Sequence, residues 1–199
     1  MQIDNKPILI IAGEPYSIFT EIFFKSLKKN KIKKTIILIG SKKLFEKQMK
    51  KMGYIFNFNE IQKDLQKKII YRKNTINIIN VDFNFTKVFD EISDKSNKYI
   101  EQCFNIANNL LKQKKACGLI NGPISKKNFL KTKFLGITEY LAKKNNVKNF
   151  CMLIYNKNLS VSPLTTHIAV KNISNKLSKK KLIENVILIK KFYKTYFND

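Results

Sequence analysis

The chain contains no tryptophan, one histidine, one arginine (Arg72) and only three cysteines, four prolines and six glycines among its 199 residues. Each scarcity removes an explanation. With His167 as its single imidazole, the chain cannot build a polyhistidine metal centre alone, because zinc sites take three or four protein ligands. Cys103, Cys117 and Cys151 are widely spaced in apolar contexts, which suits reduced, buried thiols better than a disulfide framework or zinc knuckle. No apolar run approaches the roughly 18 residues of a membrane span. The first six residues lack the ordered sections of a signal peptide. The expectation is a soluble, cytoplasmic, globular protein with no membrane partner.

Acidic residues are also scarce: 14 Asp and Glu face 39 Lys and Arg, a net charge of +25. Such a balance invites a nucleic-acid reading, since each lysine on a phosphate releases a counterion. Against it, base-edge recognition leans on bidentate arginine. The lysines are also spread along the whole chain among Asn, Ile and Phe. A solvated lysine surface is the favoured reading, and a basic nucleic-acid-binding module is the alternative.

What is present is a strand and helix alternation. Residues 7–13 form a short apolar run ended by Gly13, as in a parallel strand buried on both faces. Ile18, Ile22, Phe23, Ser26 and Leu27 follow at helical spacing. Residues 35–40 repeat the strand pattern, and Ser41 is placed to cap a helix over 42–52. Residues 54–85 read as an irregular connection or edge strands, with β-like pieces at 69–71 and 76–81. Asp94 is placed to cap a long helix through Tyr99, Cys103, Ile106, Ala107, Leu110 and Leu111. Residues 117–122 are another strand, 149–155 and 159–165 a hairpin with His167 just beyond its second strand, and Ser178 starts a helix with Leu182, Val186, Ile187, Ile189 and Phe192 inward. The fold class is α/β, a mainly parallel sheet with helices on both faces. No repeat or linker divides residues 1–199, which read as one α/β region.

Ligands of open α/β sheets bind beyond the carboxyl ends of the strands. Three polar segments fall there: Gly13 to Glu21, Asn121 to Lys126 leading on to Gly136–Glu139, and Thr165-Thr166-His167. The Gly122-Pro123 turn allows close backbone approach to a ligand, and Lys126 could meet an anion; an ordinary turn with a solvated lysine is the competing reading. His167 alone is more often a satisfied core or turn histidine than a metal ligand. Neither the dinucleotide fingerprint nor the P-loop is present.

In order, these segments resemble the 4-hydroxythreonine-4-phosphate dehydrogenase family. Its opening Gly-Asp/Glu-Pro loop stands at Gly13-Glu14-Pro15, its Thr-Gly-Pro-x-x-Lys at 121–126, its Gly-His-Thr-Glu at 136–139, and its Thr-Thr-His at 165–167. The resemblance implies an isocitrate and isopropylmalate dehydrogenase-like fold with an incomplete second lobe. It further implies NAD or NADP as cofactor, a divalent cation (zinc, magnesium or cobalt), and oxidation with decarboxylation of a phosphorylated threonine on the way to pyridoxal phosphate. It makes His167 a metal ligand and Thr138 a substrate contact. A homodimer, or a separately encoded C-terminal half, would complete the site.

Three departures stand out. Ile137 replaces the family's substrate-binding histidine and cannot hydrogen-bond a ligand. Ser17 and Phe19 replace glycines of the opening loop. The remaining metal histidines of the family have no counterpart here, which raises the expectation of a truncated or split-gene product inactive on its own.

Overall fold

A computed structural model of the chain describes residues 6–29, 34–63, 75–131 and 133–197. The chain groups into two compact units, Met1–Phe129 and Leu130–Asp199. The strand-like piece at 69–71 lies outside the described residues.

The first unit is an α/β sandwich. Strands β1 (Ile8–Ile11), β2 (Ile36–Gly40), β3 (Asn57–Glu60), β4 (Thr75–Asn80) and β5 (Gly118–Asn121) form one sheet in the order β3-β4-β2-β1-β5. Every pairing is parallel. Side chains alternate across a strand, and the alternation assigns the two faces. Ile10, Ala12, Leu38, Ile76 and Ile78 share a core with Phe19, Phe23 and Phe24 of α1 (Phe19–Lys29) and with Phe45 and Met49 of α2 (Lys42–Lys51). Leu9, Ile11, Ile37, Ile39 and Ile79 have the opposite parity and are also buried. Their face is the one covered by α3 (Asn97–Lys112), which packs against β1 and β2. Burying each such aliphatic or aromatic side chain is worth roughly 1.5–3 kcal/mol.

The α1 face is rotated from the spacing read in the sequence: Ile18 and Ile22 are exposed, whereas Phe19, Thr20, Phe23 and Phe24 are buried. Aromatic packing selects that face, with Phe24 stacked on Phe56 at 5.7 Å and edge-on to Phe45 at 6.4 Å. Thr20 tolerates burial because its hydroxyl donates to Gln48 Oε1 at 2.8 Å, and Gln48 Nε2 in turn donates to the Pro15 and Val88 carbonyls.

β4 is no edge strand. It lies between β3 and β2, and polar Asn77 obscured this in the sequence. Asn77 is buried because its Oδ1 accepts a 2.8 Å hydrogen bond from Asn59 Nδ2 on β3. Ser41 caps α2 as expected, accepting from the Leu44 N–H. Asp94 instead opens a short 3-10 turn (Asp94–Ser96) that leads into α3. Among the cysteines Cys103 is buried and Cys151 half-buried, but Cys117, just before β5, is exposed.

The second unit carries α4 (Ile137–Lys144), α5 (Ile173–Lys176) and α6 (Lys179–Tyr196). The expected hairpin is reduced, among the described residues, to one antiparallel bridge between Ile154 and Val161. Pro163 removes a donor from its second arm. His167 therefore follows an irregular segment rather than a buried strand. Ser178 does cap α6, accepting from the Lys181 N–H at 3.2 Å. Yet Leu182, Val186, Ile187 and Phe192 are 40–59% exposed, not inward. An amphipathic pattern states a preference for burial, and a covering surface must satisfy it. No helix among the described residues is long and apolar enough to cross a membrane.

Candidate functional site

In the first unit the strand order reverses at β1, with β2 on one side and β5 on the other. The crevice beyond such a reversal is where open α/β sheets bind ligands. The loops after β1 and β5 are joined there backbone to backbone. Glu14 N–H donates to the Pro123 carbonyl at 2.9 Å, and Gly122 N–H to the Ile11 carbonyl at 2.7 Å. A Cβ on Gly122 would lie 2.1 Å from the Ala12 carbonyl oxygen. Gly122 is thus required by the neighbouring loop, which is the close approach that the Gly-Pro turn serves. Gly13 adopts φ +75, and a Cβ there would lie 2.3 Å from the Pro123 oxygen.

Glu14 sits under this junction, 1% exposed. Its Oε2 accepts from Ser96 Oγ at 2.8 Å, and its Oε1 accepts from the Ser125 N–H at 3.2 Å. Burial pushes its carboxyl above the ordinary range, and the Ser96 and Ser125 hydrogen bonds oppose that shift. One carboxylate thereby ties three segments together. Ser17 compensates for the lost glycines: its hydroxyl donates to the Glu14 carbonyl at 2.8 Å and accepts from the Phe19 N–H at 3.3 Å. Lys126 follows at the exposed end of the same loop. The sequence offered Glu14 only as part of a loop motif, and Ser96 gave no signal at all.

A second concavity of about 670 Å³ opens beyond β4, lined by Lys63, Lys95, Lys98 and Asp82 around Phe83 and Tyr99. Its three ammonium groups against one carboxylate make it electropositive.

In the second unit, Gly136 caps α4 in an extended conformation. Ile137, Thr138 and Glu139 fill the first turn, where backbone N–H groups have no partner within the helix. A Cβ on Gly136 would lie 2.9 Å from Glu139 Oε2 and 4.0 Å from His167 Nε2. Two segments separated in sequence therefore meet at Gly136. His167 is exposed and adopts φ 56, a left-handed conformation uncommon outside glycine. Thr165 and Thr166 before it are half-buried.

An accessible imidazole nitrogen with a carboxylate oxygen nearby has the chemistry of a divalent-cation site. The donor set is partial: no group of three His, Cys, Asp or Glu side chains gathers among the described residues. For a dinucleotide the chain shows no glycine-rich fingerprint.

Sheet order and strand-end loops define the first unit as an open, parallel α/β fold. Residues 32–198 match the family described as pyridoxal phosphate biosynthetic protein PdxA, and the chain belongs to that family. It is 35% identical over 197 residues to a 4-hydroxythreonine-4-phosphate dehydrogenase of a Sulfurihydrogenibium species, and 31% identical over 192 residues to that of Aquifex aeolicus. Those alignments cover 96% and 94% of this chain, and the chain spans 58% of the length of each relative. Crystal structures of 4-hydroxythreonine-4-phosphate dehydrogenases from Klebsiella pneumoniae and Burkholderia phymatum share the fold, with TM-scores of 0.84 and 0.77 at 19% and 22% identity. They align with 98% and 88% of this chain, and with 60% and 54% of their own.

Proposed function

We propose that the chain carries part of the site of a 4-hydroxythreonine-4-phosphate dehydrogenase, a cytoplasmic enzyme of vitamin B6 biosynthesis. The reaction oxidises the hydroxyl of 4-phosphooxy-threonine to a ketone with NAD or NADP, and the resulting β-keto acid loses carbon dioxide. In this reading His167 holds a divalent cation through Nε2. When bound, such a cation acts as a Lewis acid on the reacting oxygen. Thr138, in the first turn of α4, contacts the substrate with its hydroxyl beside backbone N–H groups that suit an anionic group. Glu14 positions the loop that carries Lys126. A homodimer, or a second polypeptide, completes the donor set.

The observation that carries this reading is the meeting of the Gly136–Glu139 and Thr165–His167 segments at Gly136 in a chain that matches the family over residues 32–198. Purified protein assayed for NADH or NADPH formation with 4-phosphooxy-threonine and zinc, magnesium or cobalt tests it. Turnover that disappears in His167→Ala supports the reading; turnover unaffected by that change opposes it.

A second reading is favoured by the partial donor set among the described residues. The described residues are then inert by themselves and active only with a polypeptide that supplies the remaining donors. Adding the C-terminal part of a relative in trans distinguishes the two readings.

A further inference from the structure

We propose that the concavity beyond β4 binds a small molecule through its phosphate group. Two adjacent strand ends and one helix build it. β3 and β4 run parallel, so the chain leaves both on the same side of the sheet, and Lys63 and Asp82 to Asn84 line the opening there. α3 supplies the other wall: Lys98, Gln102 and Asn105 stand three and four positions apart, on one side of the helix. Lys95 joins them from the short turn Asp94–Ser96. The carboxyl ends of parallel strands are where open α/β sheets take ligands. The volume of about 670 Å³ lies within the range of small-molecule sites, roughly 300–1,000 Å³. The concavity lies wholly in the first unit, whereas Thr138 and His167 lie in the second, and it does not rest on their roles.

The charge of the lining selects the ligand. Among the described residues Lys63, Lys95 and Lys98 enter none of the ion pairs. The one lining carboxylate, Asp82, already accepts from Asn80 Nδ2 at 3.1 Å, and Asp94 does not line the concavity. Lys95 and Lys98 are also set against the helix they begin. The N-terminus of an α-helix is the positive end of its dipole, which favours anions and disfavours cations. α3 has no acidic residue in its first turn, and its N-cap Ser96 makes no capping hydrogen bond, because that hydroxyl is committed to Glu14. Two ammonium groups and a helix N-terminus thus concentrate positive potential along one wall. A phosphate, with its charge and several acceptor oxygens, answers both. The Phe83 and Tyr99 rings line the same space with centroids 5.0 Å apart, and they offer apolar surface to the carbon skeleton of an organic phosphate.

Pyrophosphate and ADP, titrated separately into the full chain by calorimetry, test the proposal. With a net charge of +25 the chain attracts any anion, so the decisive comparison is between two double variants that lose the same charge. Lys95→Gln with Lys98→Gln removes two ammonium groups from the concavity. Lys28→Gln with Lys29→Gln removes two exposed ones from the last turn of α1.

The expected result is saturable binding by wild type, weakened by about tenfold or more in the Lys95 and Lys98 variant and little changed in the Lys28 and Lys29 variant. Asp82→Asn, which removes the one negative charge of the lining, should tighten binding severalfold. Thermal unfolding without ligand should show the Lys95 and Lys98 variant at least as stable as wild type, since cations have left a helix N-terminus. Added ligand should raise the midpoint of wild type and not of that variant. Dependence on Lys95 and Lys98 with ADP bound more tightly than pyrophosphate assigns an organic phosphate; the same dependence with equal affinities assigns the phosphate group alone. No saturable binding of either probe by wild type, or equal weakening in the two double variants, would overturn the proposal.

Discussion

Ser96 Oγ donates a 2.8 Å hydrogen bond to Glu14 Oε2 across 82 positions of sequence, fastening the turn before α3 to the loop after β1. The same carboxylate accepts from the Ser125 N–H in the loop after β5. Glu14 is thus a fixed point beneath the strand ends, and its titration is coupled to folding.

Burial holds the Glu14 carboxyl above its ordinary 4.5. Between the ordinary and the raised value the native state binds more protons than the unfolded chain, so stability falls as pH rises through that window. Glu14→Gln removes this dependence. Urea midpoints measured from neutral pH down to about 4.5 should show wild type gaining on the variant as the solution is acidified. Parallel curves for the two proteins would rule out a raised Glu14.

Tyr99 is buried on α3, and its phenol oxygen accepts the Ser41 N–H at 3.1 Å. Tyr99→Phe leaves that amide without its partner while preserving the ring. The expected loss is about 1–3 kcal/mol of unfolding free energy, the cost of an unsatisfied buried donor. Equilibrium denaturation measures it, and an unchanged midpoint contradicts the assignment.

Gly122→Ala forces a methyl group to 2.1 Å from the Ala12 carbonyl, into main chain that cannot swing aside. The loops after β1 and β5 must then separate. A destabilisation of about 1–3 kcal/mol or more is expected, as for other overpacked sites. Amide exchange at Glu14, which donates to Pro123, should accelerate in the variant.

Burial pushes the Cys103 thiol up to about 12, whereas Cys117 is exposed. The thiolate is the reactive form. Alkylation of the native protein followed by peptide mass analysis should label Cys117 readily and Cys103 only after denaturant is added. Early labelling of Cys103 would show that α3 is not packed as described.

β1 and β2 were legible in the sequence because they are continuous runs of Ile and Leu ended by glycine, the pattern expected of parallel strands buried on both faces. β4 was misjudged because its buried Asn77 imitates an exposed residue until Asn59, on the adjacent strand, supplies its partner. The Gly-Pro turn was visible as a motif. That Gly122 answers to Ala12 required the register of β1 against β5.

The sequence by itself determined the family and the parallel α/β class, and it singled out His167 and Thr138 as candidates, since these depend on local pattern and on the order of short motifs. Only the tertiary structure decided that Glu14 is buried where three segments converge, that the His167 segment approaches Gly136, and that the apolar side chains of α6 are exposed. Hydrogen bonds and burial are relations between distant positions, and periodicity along one chain records a residue's preference without naming what meets it.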